Sequence, residues 1–288
     1  MRNQPTFRPE RRSATALICA LLAVAPLRAT IECQQPPRPA ADTSHRNEPL
    51  FTLRDAAIAG GFAAATIAFF PLDKQAAHEL QNPNTQANRF FKNASTGVEL
   101  IASPGAYFIG GTLYVVGRLA GYERVMDLGW HGTEAVLIGE TATNVLKGTL
   151  GRARPFVSAD TNPRDFAFAG GFGNGNRSSF PSGHTTTAFA AAAAVTAETS
   201  RWWPQSKWIV GPAMYGGATL VGLSRMYHNR HWGSDVALGA AIGTFSGRKV
   251  VEYAHRHPHN VFDRAMLHTT LAPTSGGGGM MVVSLPWP

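Results

Sequence analysis

Three short strings hold the residues whose types and spacing could do chemistry. In the first, Lys147-Gly-Thr-Leu-Gly-Arg-Ala-Arg154-Pro155, two cations bracket six residues. A proline disfavours helix at the residue before it, so Arg154 stands where a helix gives way to a loop. The second string is Pro181-Ser182-Gly183-His184. Ser182 is a good N-cap. Gly183 leaves backbone N–H groups uncovered, and the helix start becomes an anion site with His184 in its first turn. The third string runs Ser224-Arg225, five residues, His231, three residues, Asp235. An aspartate four residues from a histidine can accept from one ring nitrogen, which fixes the tautomer and frees the other nitrogen as a nucleophile. Each string alone also has a plain structural reading: cations complementing a helix C-terminus, an ordinary capped helix, a surface His–Asp pair. Together they describe one site. Lys147, Arg154, Arg225 and a helix N-terminus would surround a dianionic phosphate between two histidines, one attacking phosphorus and one protonating the leaving oxygen. No aspartate or glutamate cluster of metal-ligand type accompanies the strings, so the chain's own cations would supply the charge that a metal supplies elsewhere.

Helices must position these residues. From Leu50 to about His255 the sequence is rich in alanine and glycine, with helical and not alternating periodicity. The pattern predicts six main helices, at 53–70, 95–118, 127–147, 184–200, 206–225 and 232–254, and no strand series: an all-α bundle. A loop of about 30 residues joins Gly151 to Pro181 and carries four glycines between 170 and 175, long enough to be functional. Three uncharged stretches of 17 residues, 56–72, 101–117 and 208–224, sit at the lower edge of membrane-span length. They are rich in Ala, Gly and Thr, which suits close helix packing as well as it suits a span. Glu140 and Glu198 weigh against lipid exposure of the helices that carry them.

The 288 residues are 44% hydrophobic and 15% charged, which excludes a disordered chain. Two cysteines exclude a disulfide scaffold or a cysteine-based zinc domain. Part of the net charge of +8 sits at the N-terminus, where the first 29 residues hold five arginines and one acid. There is no basic stripe with interleaved aromatics, so nucleic acid is not an expected partner. Residues 1–29 have the three-part pattern of an export signal: Arg11-Arg12, an apolar run from Ala14 to Leu27, and Leu27-Arg28-Ala29 as a cleavage site. The competing reading is an uncleaved anchor. Neither Cys19 nor Cys33 follows a lipobox. Residues 30–49 are polar and proline-rich and read as a tether. The helical domain is expected over 50–257. A tail of unassigned role follows over 258–288, whose apolar end MMVVSLPWP suits a strand or a membrane-surface contact. Localisation is then outside the cytoplasm, periplasmic or membrane-associated, and the oligomeric state is open.

The three strings, in this order over residues 147–235, resemble the signature of the type-2 phosphatidic acid phosphatase superfamily, which includes acid phosphatases, lipid phosphatases and vanadium haloperoxidases. The resemblance covers about a third of the chain. It implies an all-α bundle with the site at one end. It implies His231 as nucleophile through a phosphohistidine, oriented by Asp235, with His184 as general acid and then base. Lys147, Arg154 and Arg225 would bind phosphoryl oxygens with Ser182 and the N–H of Gly183. It implies no metal or cofactor, and a phosphomonoester or diphosphate substrate, lipid-linked or small. One departure is Asn229, where many members carry glycine two residues before the nucleophile. The alternatives are a haloperoxidase holding vanadate, whose known members are far longer, and a non-catalytic anion-binding membrane protein.

Overall fold

The computed structural model describes residues 49–157, 162–258, 260–267, 269–273 and 279–283. The export signal and nearly all of the tether expected from the sequence lie outside the described residues. Ten α-helices are present among the described residues: α1 (Leu53–Phe69), α2 (Asp73–Leu80), α3 (Pro83–Gln86), α4 (Arg89–Ala102), α5 (Gly105–Ala120), α6 (Glu123–Leu150), α7 (Gly183–Trp202), α8 (Val210–Tyr227), α9 (Gly233–Arg256) and α10 (Val261–Leu267). The fold is all-α. The tail adds one small antiparallel ribbon, β1 (Thr269–Pro273) with β2 (Gly279–Val283), in which Leu271 pairs with Met281.

Helices α6 to α9 form the core, with α1 against α9, α4 against α8 and α5 against α6. The Ala-rich sequence of α7 combines the strongest helix former with the smallest side chain that still has a Cβ. Its partner α9 offers glycine at every fourth position. A Cβ at Gly239, Gly243 or Gly247 would lie 2.5, 2.4 or 2.4 Å from the carbonyl oxygen of Ser182, Thr186 or Ala190. These positions rise together along both chains, so α7 and α9 run parallel at backbone contact and begin at the same end of the bundle. Ala135, Ala194, Val250 and Val251 fill the core beneath them. A capping box between Thr52 and Asp55 starts α1, and Lys249 Nζ, 2.7 Å from Asp55, ties that start to α9.

The single helix expected over 95–118 is two. Ser103 is extended and Pro104 opens α5, because proline disfavours helical backbone at the residue before it and has no N–H for the ladder. Part of the expected tail also belongs to the bundle. Tyr114 Oη and Arg118 Nη1 donate to the carbonyl of Met266 in α10 at 2.6 and 2.9 Å, and Trp130 Nε1 donates to Asp263 at 3.1 Å.

Large apolar side chains stand exposed along the outer helices, among them Phe90, Phe108, Ile109, Leu119, Leu220 and Leu223. Glu198 is buried and Glu140 half-buried, accepting from the Thr187 hydroxyl at 2.6 Å. Among the described residues no single helix is long and apolar enough to cross a membrane. The pairs α1 with α2 and α4 with α5, bent by 67° and 44°, reach that length only when taken together.

Gly243→Ala is expected to lower stability. The methyl group has no room against Thr186, and overpacking of this kind costs about 1–3 kcal/mol, more than the roughly 1 kcal/mol of helix propensity that alanine adds. Gly216 in α8 has no neighbouring atom within 4 Å of a built Cβ, so Gly216→Ala keeps or raises Tm. Thermal melts of the two variants beside the parent check both signs.

Candidate active site

Four helix termini meet at one end of the bundle. Helix α6 ends there with Lys147 in its last turn, α8 ends there with Arg225, and α7 and α9 begin there at Gly183 and Gly233. The two parallel helices therefore aim their positive ends at the space that Lys147 and Arg225 reach. Arg154 joins them from the loop. Its guanidinium is held by backbone, donating to the carbonyls of Gly175 (2.8 Å), Arg230 (3.2 Å) and Ser178 (3.3 Å).

The electrostatics show that these groups share one space. Burial, Arg154 and Arg225 together press Lys147 down to about 8, against the opposing pull of Glu140 and Asp235. Burial, with Arg225 and Arg230 nearby, brings Arg154 down to about 10. Arg225 Nη1 is 2.7 Å from Glu99 of α4, while its Nε is buried with no acceptor among the described residues. That nitrogen is a donor free for a ligand. A polar cavity of about 430 Å³ opens beside it, lined by Glu99, His228 and Arg230.

Both histidines are neutral in this field. Burial and the charges of Arg225, Lys147 and Arg154 bring His184 down to about 4. Burial brings His231 down to about 3, with Lys147 and Arg154 adding to it and Asp235 opposing. His231 Nδ1 lies 2.7 Å from the carbonyl oxygen of Ser179. A carbonyl can only accept, so Nδ1 carries the proton and Nε2 presents a bare lone pair. Asp235 stands behind, with Oδ2 3.5 Å from Nδ1. The partner that the i,i+4 spacing pointed to is thus second to a backbone carbonyl. His231 also precedes α9 instead of riding on it, and the carboxylate of Asp235 accepts from the Trp232 N–H at 2.8 Å to cap that helix.

Ser182 sits at the N-cap position of α7 but does not cap it. Its buried hydroxyl accepts from Thr185 Oγ1 at 2.9 Å, and its N–H donates to the Asp235 carbonyl at 3.0 Å. The first N–H groups of α7 are left without that side-chain partner. Gly183 has a steric reason: a Cβ there would meet Lys147 Nζ at 3.1 Å and the Glu140 carboxylate at 3.2 Å. Asn229 holds φ at +57°. Asparagine is among the few residues other than glycine that visit this region readily, so it preserves the turn that delivers His231.

Residues 128–258 match the family model described as PAP2 superfamily, a span that contains all three strings. Over those residues the chain is similar to the PAP2 superfamily. A stretch of 69 residues, 24% of the length, is 46% identical to the Lipid A 1-phosphatase of Porphyromonas gingivalis and spans 15% of that relative. The crystal structure of the first transmembrane PAP2 type phosphatidylglycerolphosphate phosphatase from Bacillus subtilis covers 73% of the chain, and 100% of its own, at a TM-score of 0.54 and 18% identity, a likeness of fold. The crystal structure of Aquifex aeolicus LpxE covers 63% of the chain and 96% of its own at a TM-score of 0.46 and 21% identity.

Several residues behind the three strings carry no signal of their own in the sequence. Arg152 is fully buried, and donates to Asp235 Oδ1 (2.5 Å), Ser234 Oγ (2.7 Å), Asp73 Oδ2 (2.8 Å) and the Pro163 carbonyl (2.6 Å). Ser179 donates its hydroxyl to Asp235 Oδ2 at 2.5 Å while its carbonyl holds His231. The first string contains Arg152, but nothing in its spacing separates a buried arginine from an exposed one.

The lowered value at His231 makes it neutral at pH 5. An imidazole ¹⁵N NMR titration should find it as the Nδ1–H tautomer there, taking up a proton only near pH 3, whereas an unperturbed histidine titrates near 6.5. A charged His231 at pH 5 would overturn this description of the site.

Proposed function

We propose that the protein is a phosphatase acting on a phosphomonoester or diphosphate, lipid-linked, through a phosphohistidine on His231. The observation that carries the reading is the neutral His231 with its free Nε2, set among Lys147, Arg154, Arg225 and the N-terminus of α7. Nε2 attacks phosphorus, and the P–O bond to the leaving group breaks as the N–P bond forms. His184 gives the leaving oxygen its proton. It then takes a proton from the water that attacks the phosphohistidine, releasing phosphate and restoring His231. Ser179 and Asp235 favour the imidazolium character that develops at His231, and the three cations with the N–H of Gly183 hold the equatorial oxygens. Charge from the protein's own cations supports turnover without a metal.

Support for a lipid substrate comes from two sources. The chain matches part of a Lipid A 1-phosphatase and is similar in fold to a PAP2 type phosphatidylglycerolphosphate phosphatase. The apolar side chains exposed along α4, α5 and α8 suit a membrane surface. Together with the signal-like N-terminus, these features support a location in or on a bacterial membrane with the site on the periplasmic side.

The roles separate by leaving group. His231→Ala should be inactive on every substrate. His184→Ala should lose roughly ten- to a hundredfold more activity on an alkyl or lipid phosphate than on p-nitrophenyl phosphate, whose phenolate departs without a proton. Equal losses on the two would remove the general-acid role, and wild-type activity in His231→Ala would remove the nucleophile. The same assays run at 25 °C in EDTA should keep their rates. A loss restored by magnesium or zinc while the fold stays intact by circular dichroism would overturn the metal-independent mechanism.

A further inference from the structure

At the end of the bundle away from the phosphate site, three helices bring two imidazoles and a carboxylate together. His131 of α6, Glu198 of α7 and His255 of α9 each turn one ligand-type atom to a common point, all within 4.8 Å of one another. His131 faces Glu198 through Nδ1, in a contact shorter than an ordinary hydrogen bond. His255 Nε2 lies 3.0 Å from both oxygens of Glu198. The two rings meet edge to face, with centroids 5.4 Å apart. His131 and Glu198 are buried, and His255 is partly open to solvent, which gives an ion a way in.

Such a group could be a chance meeting of polar residues, but its surroundings are built. The second ring nitrogen of His131 lies 3.4 Å from Asp263 Oδ1. Asp263 is itself fixed by Trp130 Nε1 at 3.1 Å and by Asn260 Nδ2 at 2.7 Å. A carboxylate on the far nitrogen of a ligating histidine sets its tautomer and raises its basicity, and is the usual support of a bound metal. Charge points the same way. Glu198 and Asp263 set two buried carboxylates against two imidazoles. Burying carboxylates is costly unless positive charge, from a proton on an imidazole or from a metal, lies against them.

We propose that His131, Glu198 and His255 bind a divalent cation of borderline softness, zinc being the representative, as a structural tie across α6, α7 and α9. Two imidazoles and a carboxylate are a common zinc set, at about 2.0–2.2 Å from the ion and so about 3.3 Å from one another. From separations of up to 4.8 Å, the adjustments needed are about 1.5 Å or less. Glu198 is fourteen residues beyond His184 on α7, about 21 Å along the helix at 1.5 Å per residue. The cation would therefore take no part in the chemistry proposed at His231.

The test uses the full chain, freed of any affinity tag, stripped with a chelator and titrated with zinc by calorimetry, with metal content read by elemental analysis. One zinc per chain is expected, with a rise in Tm on binding and visible absorption of four- or five-coordinate cobalt on substitution. His255→Ala, at the open edge of the cluster, should weaken zinc binding at least tenfold, and Asp263→Asn about tenfold. His257→Ala should bind as the parent does, since His257 stacks on Tyr253 instead of facing the cluster. The proposal is overturned if the stripped chain takes up no zinc, if His255→Ala binds like the parent, or if His257→Ala loses the metal. A proton would then be what holds the cluster together. Occupancy is read apart from turnover, so either result leaves the phosphatase reading to its own assays.

Discussion

The buried fork of Arg152 is the interaction on which the site rests. Its guanidinium bridges Asp73 of α2 and Asp235 of α9, both fully buried, and packs among the rings of Phe70, Phe166, Phe180 and Trp232 at 4.8 to 5.6 Å. Lysine could not serve: one ammonium cannot reach two carboxylates, a serine hydroxyl and a carbonyl in fixed directions. Removing one partner of such a pair leaves a buried charge alone, at about 3–5 kcal/mol. What Arg152 secures is Asp235. Held by Arg152, that carboxylate keeps the Ser179 hydroxyl and the Trp232 N–H in place, and Ser179 then offers its carbonyl to His231. The pairing also has an electrical effect. An Asp235 without a cation would raise the affinity of His231 for a proton. With Arg152 against it, burial and the site cations prevail and His231 stays neutral.

The glycines of α9 govern the second constraint, where the helices end. Because Gly239, Gly243 and Gly247 seat the α7 backbone directly, the two helices run parallel and start together. The antiparallel neighbours α6 and α8 must then finish at the same end, which brings Lys147 and Arg225 to the two N-termini. Positive charge thus converges there: cationic side chains on the negative ends of α6 and α8, and the N–H groups of α7 that Ser182 leaves uncapped, while Asp235 and Asp73 cap the start of α9. The packing that makes the bundle also gathers positive charge at one of its ends.

Much of this was legible because it is local. Lys147, Arg154, His184, Arg225, His231 and Asp235 stand in strings whose spacing is fixed by a turn of helix or one loop, and the periodicity around them is that of the helices observed. What escaped the reading is not local. Arg152 meets Asp73 across 79 residues of sequence, and the acceptor for His231 is a main-chain carbonyl, which no residue type announces. His131, Glu198 and His255 are likewise separated by 67 and 57 positions. The break between α4 and α5 is different, because Ser103-Pro104 carries the rule that splits it; a run of apolar periodicity through 95–118 outweighed a proline that should have decided. Ser182 shows the converse. Its type suits a cap, but Thr185 and Asp235 engage it from inside the bundle.

The depressed proton affinities describe a site under strain of charge when empty, and this bears on how it could act. Lys147, Arg154 and Arg225 repel one another and suppress protonation of His184. Glu99, on Arg225, is the carboxylate that directly pairs with one of the three cations. A phosphate dianion entering this space relieves the repulsion. The same event removes the field that held His184 neutral, so its affinity for a proton rises as the substrate arrives. On the proposed mechanism the general acid would be charged only when a leaving group is present to receive the proton. His231, sealed against the Ser179 carbonyl and behind the cations, would keep its lone pair for phosphorus. The repulsion built into the empty site thereby favours the most negatively charged species along the reaction, which is the electrostatic condition for stabilising a transition state more than a ground state.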